Sequence, residues 1–146
     1  MSSEPTSLYD RVGGERFFVD LVDAFYEGVA GDELLGPLYP DHPDYGPARR
    51  RLTLFLVQYW GGPHTYLEER GHPRLRMRHF EFHVGPLERD RWLLHMAAAV
   101  QRTCSGLEDG LGEVVAGELM RYFVPAAEHL RNDTGLPITS AAFPRS

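Results

Sequence analysis

Two histidines in the middle of the chain have a spacing that suits metal binding. His79 and His83 are four residues apart, so on a helix both imidazoles lie on one face and can bind the same ion. His64, His72 and Glu81 are available as further ligands, but their spacing matches no established zinc pattern. A pair of surface histidines on a basic helix is the simpler interpretation, and the spacing alone leaves both open.

The segment around these histidines is basic, although the chain as a whole is acidic. The 146 residues include 21 acidic and 15 basic side chains, all of the latter arginine, for a formal net charge of −6. Residues 70–83, RGHPRLRMRHFEFH, nevertheless contain four arginines, three histidines and a single acid. The overall acidity argues against general nucleic-acid binding, which favours a basic surface.

The sequence lacks the motifs of several common classes of enzyme. It has no glycine-rich phosphate loop, no G-x-S-x-G and no C-x-x-C. Cys104 is the only cysteine, and a lone cysteine on the apolar side of a helix is usually inert. No apolar run approaches the roughly 18–20 residues of a membrane span, and MSSEPTS is unlike a secretory signal. We expect a cytoplasmic protein without a nucleic-acid partner, and leave membrane association and oligomeric state open.

The elements that must position these residues are helices. Apolar residues at 18, 21, 22, 25 and 29 predict a helix over 15–29, followed by a short turn capped by Asp32. Helices are also predicted over 47–59, 65–70, 74–82, 87–104 and 108–131, with a kink at Pro125 in the last. No window alternates with a period of two, so the predicted fold class is all-α with one core.

The same patterns predict the extent of the folded domain. Ser7 and Asp10 form a variant of the capping box that opens a first helix, which Gly13 and Gly14 interrupt. We expect one domain over residues 7–132, with a flexible N-terminus at 1–6 and a flexible tail at 133–146.

Three aromatic residues carry a polar group that needs a partner when buried. Tyr26 lies at the edge of the apolar stripe of the first long helix, Tyr39 precedes a proline-rich connection, and Trp92 lies on the helix after Gly85-Pro86. Taken one at a time, each is best explained by core packing.

Several motifs together identify a family. They are SLYDRVGG with a following FF, AFYEGV, LYP, FLVQYWGGPHTYLEERGHPRLRMRH and LERDRWLLHM. In these motifs the chain resembles the truncated haemoglobins of the second group, and within them the O-type subset, over roughly residues 7–132. The resemblance implies a truncated globin fold, a two-over-two helical sandwich around haem b (iron protoporphyrin IX).

The resemblance also implies roles for particular residues. The proximal iron ligand falls on His79 of RMRH, and the distal residues that stabilise a bound ligand fall on Tyr26, Tyr39 and Trp92. The small residue at the usual distal-histidine position falls on Ala48. The family's glycine signatures fall on the pairs at 13–14 and 61–62.

Further contacts with the cofactor are expected on the helix that carries Ala48 and on the basic segment. Leu52 and Phe55 continue the same apolar stripe, and Tyr59 and Tyr66 are within reach of the haem edge. Arginine suits the haem propionates because its planar donor fork matches a carboxylate, and we expect Arg76 to fill this role.

Haem held by a single imidazole leaves one coordination position open for O2, NO, CO or peroxide. Three buried donors, each worth roughly 1.5–3 kcal/mol to a charged acceptor, predict tight O2 binding and slow release. This favours oxygen, NO or redox chemistry over oxygen transport. The alternatives are an NO dioxygenase or peroxidase-like enzyme that uses a separate reductase, and a helical interaction module with a non-haem metal site.

Overall fold

The computed structural model describes residues 7–38, 45–70 and 85–130. This part of the chain forms six α-helices and a short 3-10 turn, Gly36–Leu38: α1 Leu8–Arg11, α2 Glu15–Ala30, α3 Gly46–Tyr59, α4 Thr65–Arg70, α5 Pro86–Cys104 and α6 Leu111–Leu130. None of the described residues belongs to a strand, which confirms the predicted all-α class. The helix predicted over 74–82 and the tails at 1–6 and 133–146 lie outside the described residues.

The long helices pack as two pairs. Helix α2 packs against α3, helix α5 packs against α6, and α2 contacts α5 across the pairs. The side chains at the centre of this arrangement are fully buried, among them Phe18, Phe25, Met96, Leu119 and Phe123. The result is the two-over-two helical globin fold that the sequence predicts.

Both predicted caps near α2 are confirmed. The Ser7 side chain accepts a hydrogen bond from the Asp10 backbone N–H at 3.1 Å, which starts α1. After α2, the Oδ1 atom of Asp32 accepts from the backbone N–H groups of Leu34 at 2.8 Å and Leu35 at 3.1 Å. Because these donors are satisfied, the chain can leave α2 in a defined direction.

The Gly61-Gly62 pair lets α1 lie directly on the turn that ends α3. The Tyr9 N–H donates to the Trp60 carbonyl at 3.0 Å, and Gly61 has a φ of 102° that a residue with a side chain adopts only under strain. A Cβ on Gly62 would lie 2.5 Å from Val57 Cγ1. The turn therefore needs glycine both for its backbone conformation and for space.

Helices α5 and α6 differ slightly from their predicted extents. Helix α5 begins at Pro86, where the Gly85 N–H donates to the Glu88 carboxylate at 2.9 Å. Helix α6 begins at Leu111, three residues after the predicted start, and continues through Pro125. The apolar residues of the last predicted helix include Val114, for which their spacing predicts a position on the buried side; Val114 is instead 52% exposed, so that prediction is wrong.

Candidate functional site

Tyr26 lies inside an aromatic wall on α2, with 3% of its surface exposed. The Phe25 and Tyr26 rings form a T-shaped pair with their centroids 5.0 Å apart, and the Tyr45 ring packs at 5.6 Å with an interplanar angle of 31°. The guanidinium carbon of Arg49 lies 6.0 Å from the Tyr26 centroid. The sequence places Tyr26 at the edge of the apolar stripe of its helix, and in the structure that position is buried.

Tyr45 and Arg49 are neighbours of Tyr26 that the motifs do not reveal. Tyr45 directly precedes α3, and its hydroxyl donates to the Gly36 carbonyl at 3.1 Å. Burial raises the pKa of the Tyr45 phenol. Arg49 lies one turn later and pairs with Asp23 of α2 at 3.0 Å. Extending the apolar stripe of α3 back by one step from Ala48 would have found Tyr45.

One face of α3 forms an apolar surface near this wall. Ala48 is 6% exposed and Phe55 is 7% exposed, with the partly buried Leu52 between them along the helix. Their spacing of four and three residues puts the three side chains on the same face. This is the stripe on which the sequence predicts the cofactor contacts.

Trp92 reaches the same region from α5. Its ring lies 5.3 Å from Phe25 and 5.9 Å from Phe123, centroid to centroid. Phe25 therefore contacts both Tyr26 and Trp92, so one side chain links two of the predicted distal residues. Trp92 is only partly buried, which leaves part of its surface available to another group.

Tyr59 and Tyr66 both pack against Phe55. The ring centroids are 6.3 Å and 5.6 Å from that of Phe55, respectively, and Tyr66 is buried. Tyr59 also lies 4.3 Å from Tyr122 of α6. Burial raises the pKa of the Tyr59 phenol, and burial together with the neighbouring Tyr59 raises the pKa of Tyr122. Both of these phenols are neutral at physiological pH.

The remaining predicted site residues lie outside the described residues. These are the proximal ligand His79, the second distal tyrosine Tyr39, the propionate partner Arg76, and His83. Within the described ranges, no three His, Cys, Asp or Glu side chains come together as a metal site. Nor is any helix in these ranges long and apolar enough to cross a membrane.

Cys104 has the inert character that the sequence predicts. The thiol is buried at the end of α5, and burial raises its pKa to about 11. The thiolate is the nucleophile and the metal ligand, so a protonated buried thiol does neither.

A buried polar cluster joins Asp32 to α5. The Asp32 side chain is 1% exposed, and its Oδ2 atom accepts from His95 Nε2 at 2.7 Å and from Arg91 at 3.3 Å. The His95 ring packs on Gly28, where a Cβ would lie 2.4 Å from its Nδ1 atom. These partners are about sixty residues apart in the chain, so no local pattern predicts the cluster.

The chemistry of the described side chains agrees with what the sequence predicts for the distal side of a haem. Ala48, Leu52 and Phe55 provide an uncharged face for a flat, largely apolar group. Tyr26 and Trp92 add a hydroxyl and an indole N–H, which are neutral hydrogen-bond donors and carry no competing metal-binding group. The donor chemistry therefore suits a ligand held beside the haem better than a second metal ion.

The chain has clear relatives. A family model described as bacterial-like globin matches residues 7–116. Over 121 residues the chain is 40% identical to group 2 truncated hemoglobin YjbI of Bacillus subtilis, a match that covers 83% of this chain and 86% of that protein. Among solved structures, it is similar to a thermostable hemoglobin from the actinobacterium Thermobifida fusca, with 51% identity, a TM-score of 0.79 and coverage of 88% of this chain and 99% of that one. The group II truncated hemoglobin from Bacillus anthracis is 36% identical, with a TM-score of 0.73 and coverage of 88% and 98%.

Proposed function

Because the chain belongs to the bacterial-like globin family, we propose that it is a haem protein that binds O2 tightly beside Tyr26, Tyr39 and Trp92. Family membership implies the coarser part of this statement, a haem cofactor and a small gaseous ligand. The finer part, haem b with three distal donors and slow release, is the proposal.

The observation that supports it best is the convergence of Tyr26 and Trp92 on Phe25 from two different helices. A hydrogen bond from the Tyr26 hydroxyl or the Trp92 indole N–H to a polarised ligand gains strength where water is excluded. Each such bond is worth roughly 1.5–3 kcal/mol, which corresponds to a roughly ten- to hundredfold slower release.

The remaining assignments complete the site. We assign His79 as the iron ligand through a neutral imidazole, and Ala48, Leu52 and Phe55 as the apolar wall. The haem edge and propionates are assigned to the following residues: Tyr59, Tyr66 and Arg76. When bound, haem supplies an iron with one open coordination position for the diatomic ligand.

Slow dissociation of O2 limits the biological roles that the protein can have. Delivery of oxygen in bulk requires fast dissociation, so oxygen transport is a poor fit, and sensing, scavenging or redox chemistry on O2 or NO is a better one. Sustained turnover as an NO dioxygenase or peroxidase needs electrons, for which we propose a separate reductase. A cytoplasmic location agrees with the single buried thiol of Cys104.

An absorption spectrum tests the cofactor. The purified protein supplied with haem should show a Soret band, His79→Ala should lose it, and His83→Ala should keep it. His83 is the matched control because it is four residues from His79 and is predicted to lie on the same helix face. Equal loss in both variants would contradict a single-histidine ligand, and no Soret band in the native chain would overturn the proposed function.

The same preparations test the distal donors. Trp92→Phe and Tyr39→Phe should each speed O2 dissociation about tenfold or more, because each removes one donor and keeps most of the ring volume. Stopped-flow release measures this. Unchanged rates in both variants would contradict the proposed pocket. Rapid consumption of NO by the oxygen-saturated protein would favour the dioxygenase use.

A further inference from the structure

We infer that Tyr45 is a positioning residue that holds the distal Tyr26 in place. This inference rests on the proposed function, because it concerns the tyrosine assigned there to ligand stabilisation. Tyr45 lies outside every motif that identifies the family, and it reaches Tyr26 through the fold alone.

The contact between the two rings is close and buried. Tyr45 is 6% exposed and Tyr26 is 3% exposed, and their centroids are 5.6 Å apart at an interplanar angle of 31°. The hydroxyl oxygen of a tyrosine lies on the ring axis, so it moves only when the whole ring tilts or shifts. The rings of Tyr45 and Phe25, which both pack against Tyr26, restrict that movement.

Tyr45 is itself fixed by contacts on its other side. Its hydroxyl donates to the Gly36 carbonyl at 3.1 Å, and the Gly36 N–H donates to the Asp32 carbonyl at 2.9 Å. Asp32 in turn accepts from His95 of α5. The ring that contacts Tyr26 is therefore linked to the turn after α2, and through that turn to α5.

The start of α3 restricts the orientation of the Tyr45 ring against Tyr26. Pro47, in the first turn of α3, has its φ restricted by the pyrrolidine ring, which limits how the preceding backbone can rotate. Arg49, one turn after Tyr45, contributes a weaker second contact with Tyr26 because it is partly exposed and shared with Asp23. Of these two neighbours of Tyr26, Tyr45 is the more deeply buried.

A double-mutant cycle on the haem-containing full-length chain tests this role. The variants are Tyr45→Leu, Tyr45→Phe, Tyr26→Phe and the double change Tyr26→Phe/Tyr45→Leu. Tyr9→Leu is the control, because the Tyr9 ring packs on Phe18 instead, at 6.1 Å. Three quantities are measured: the O2 dissociation rate, the C–O stretching frequency of the CO complex, and the melting temperature.

The expected results separate positioning from general stability. Tyr45→Leu should speed O2 dissociation about five- to tenfold and shift the C–O stretch, while Tyr45→Phe, which keeps the ring, should stay within about threefold of the native rate. In the Tyr26→Phe background, Tyr45→Leu should change the rate less than about twofold, because its effect passes through Tyr26. Tyr9→Leu should lower the melting temperature without changing the rate or the stretch.

Several results would overturn the inference. If Tyr45→Leu leaves the O2 dissociation rate and the C–O stretching frequency unchanged while Tyr26→Phe speeds O2 dissociation, the inference is overturned and the proposed function is not affected. A full Tyr45→Leu effect that persists when Tyr26 is Phe would also overturn the inference. If Tyr45→Leu fails to fold, Tyr45→Met, which refills the space without a flat ring, replaces it with the same expected results. A chain without a Soret band, or a Tyr26→Phe variant with native O2 release, would overturn the proposed pocket and this inference together.

Discussion

A buried carboxylate needs partners for its oxygens, and Asp32 finds them on two elements. One oxygen caps the turn after α2 and the other accepts from His95 and Arg91 of α5. Burial by itself raises the pKa of Asp32. The hydrogen bonds from the His95 ring and from two backbone amides, together with the Arg91 charge, outweigh burial and bring this pKa below its ordinary value. The ionised form is therefore favoured by folding.

The stability that Asp32 contributes should depend on pH. Because the folded pKa lies below the unfolded value of about 3.9, the contribution is fully present above that pH and is lost as pH falls through the folded pKa. Asp32→Asn should lower the free energy of unfolding by about 1.5–3 kcal/mol at pH 7, and the difference from the native protein should shrink below about pH 4. Urea unfolding at a series of pH values measures this.

Asp90→Asn is the matched control for that experiment. Asp90 is exposed and pairs with the adjacent Arg89 on the surface of α5, so its loss should change stability by less than about 1 kcal/mol at any pH. A pH-independent effect of Asp32→Asn, or an equal effect of Asp90→Asn, would contradict the role given to the buried cluster.

At the scale of elements, the approach of α2 to α5 depends on a glycine. Gly28 is in the interior of α2, where glycine is normally unfavourable by about 1 kcal/mol relative to alanine. The His95 ring occupies the space that a side chain would need, and its hydrogen bond to Asp32 keeps it there. Gly28 therefore lowers the helix propensity of α2 but allows α2 and α5 to pack more closely.

Two alanine substitutions should have opposite effects. Gly28→Ala should destabilise the protein by about 1–3 kcal/mol, because its Cβ would meet the His95 ring. Gly117→Ala, in α6, should stabilise by up to about 1 kcal/mol, because the nearest atom to its Cβ is the Arg121 side chain at 4.0 Å. Chemical denaturation of both variants measures the change. Stabilisation by Gly28→Ala would show that the His95 ring moves away at little cost.

At the scale of the whole molecule, aromatic contacts join the two helix pairs. Phe123 of α6 packs on Trp92 of α5 at 5.9 Å and on Trp60, at the end of α3, at 5.8 Å. Trp60 also stacks on Phe18 of α2 at 6.1 Å. Each of the four long helices or its end thus meets this cluster, so the site's walls depend on a residue near the end of the domain.

Truncations should show where the domain ends. Deletion of residues 133–146, the tail predicted from the sequence, should preserve the Soret band and change the melting temperature by less than about 2 °C, or under about 1 kcal/mol. Deletion from Arg121 onward removes Phe123 and Tyr122 and should abolish cooperative unfolding. Circular dichroism on heating measures both. A large loss from the shorter deletion would show that the tail belongs to the folded domain.

The sequence predicts some parts of this molecule much better than others. The helix extents and the Ser7 and Asp32 caps follow from local patterns, and these patterns are correct to within a few residues at α2, α3, α5 and α6. The family motifs point to Tyr26 and Trp92, and the fold brings both against Phe25.

Contacts between distant segments are what the sequence does not predict. Tyr45 is detectable only by extending the period of α3, and nothing in the sequence pairs Asp32 with His95, because that contact depends on how α2 crosses α5. Val114 shows the opposite error, since a residue with the right period can still face solvent. The spacing of apolar residues predicts which face of a helix is buried, but it does not predict which other helix packs against that face.

Arg11 and Glu118 form an ion pair at 2.8 Å although 107 residues separate them, and this contact has a consequence for biosynthesis. At about 5–20 residues per second, Arg11 is synthesised roughly 5–20 s before Glu118. From its own synthesis until Phe123 is made, Trp60, which stacks on Phe18, lacks the Phe123 ring that packs on it in the finished protein. The nascent chain therefore passes through a stage with exposed aromatic surface, the stage at which a chaperone has most to bind.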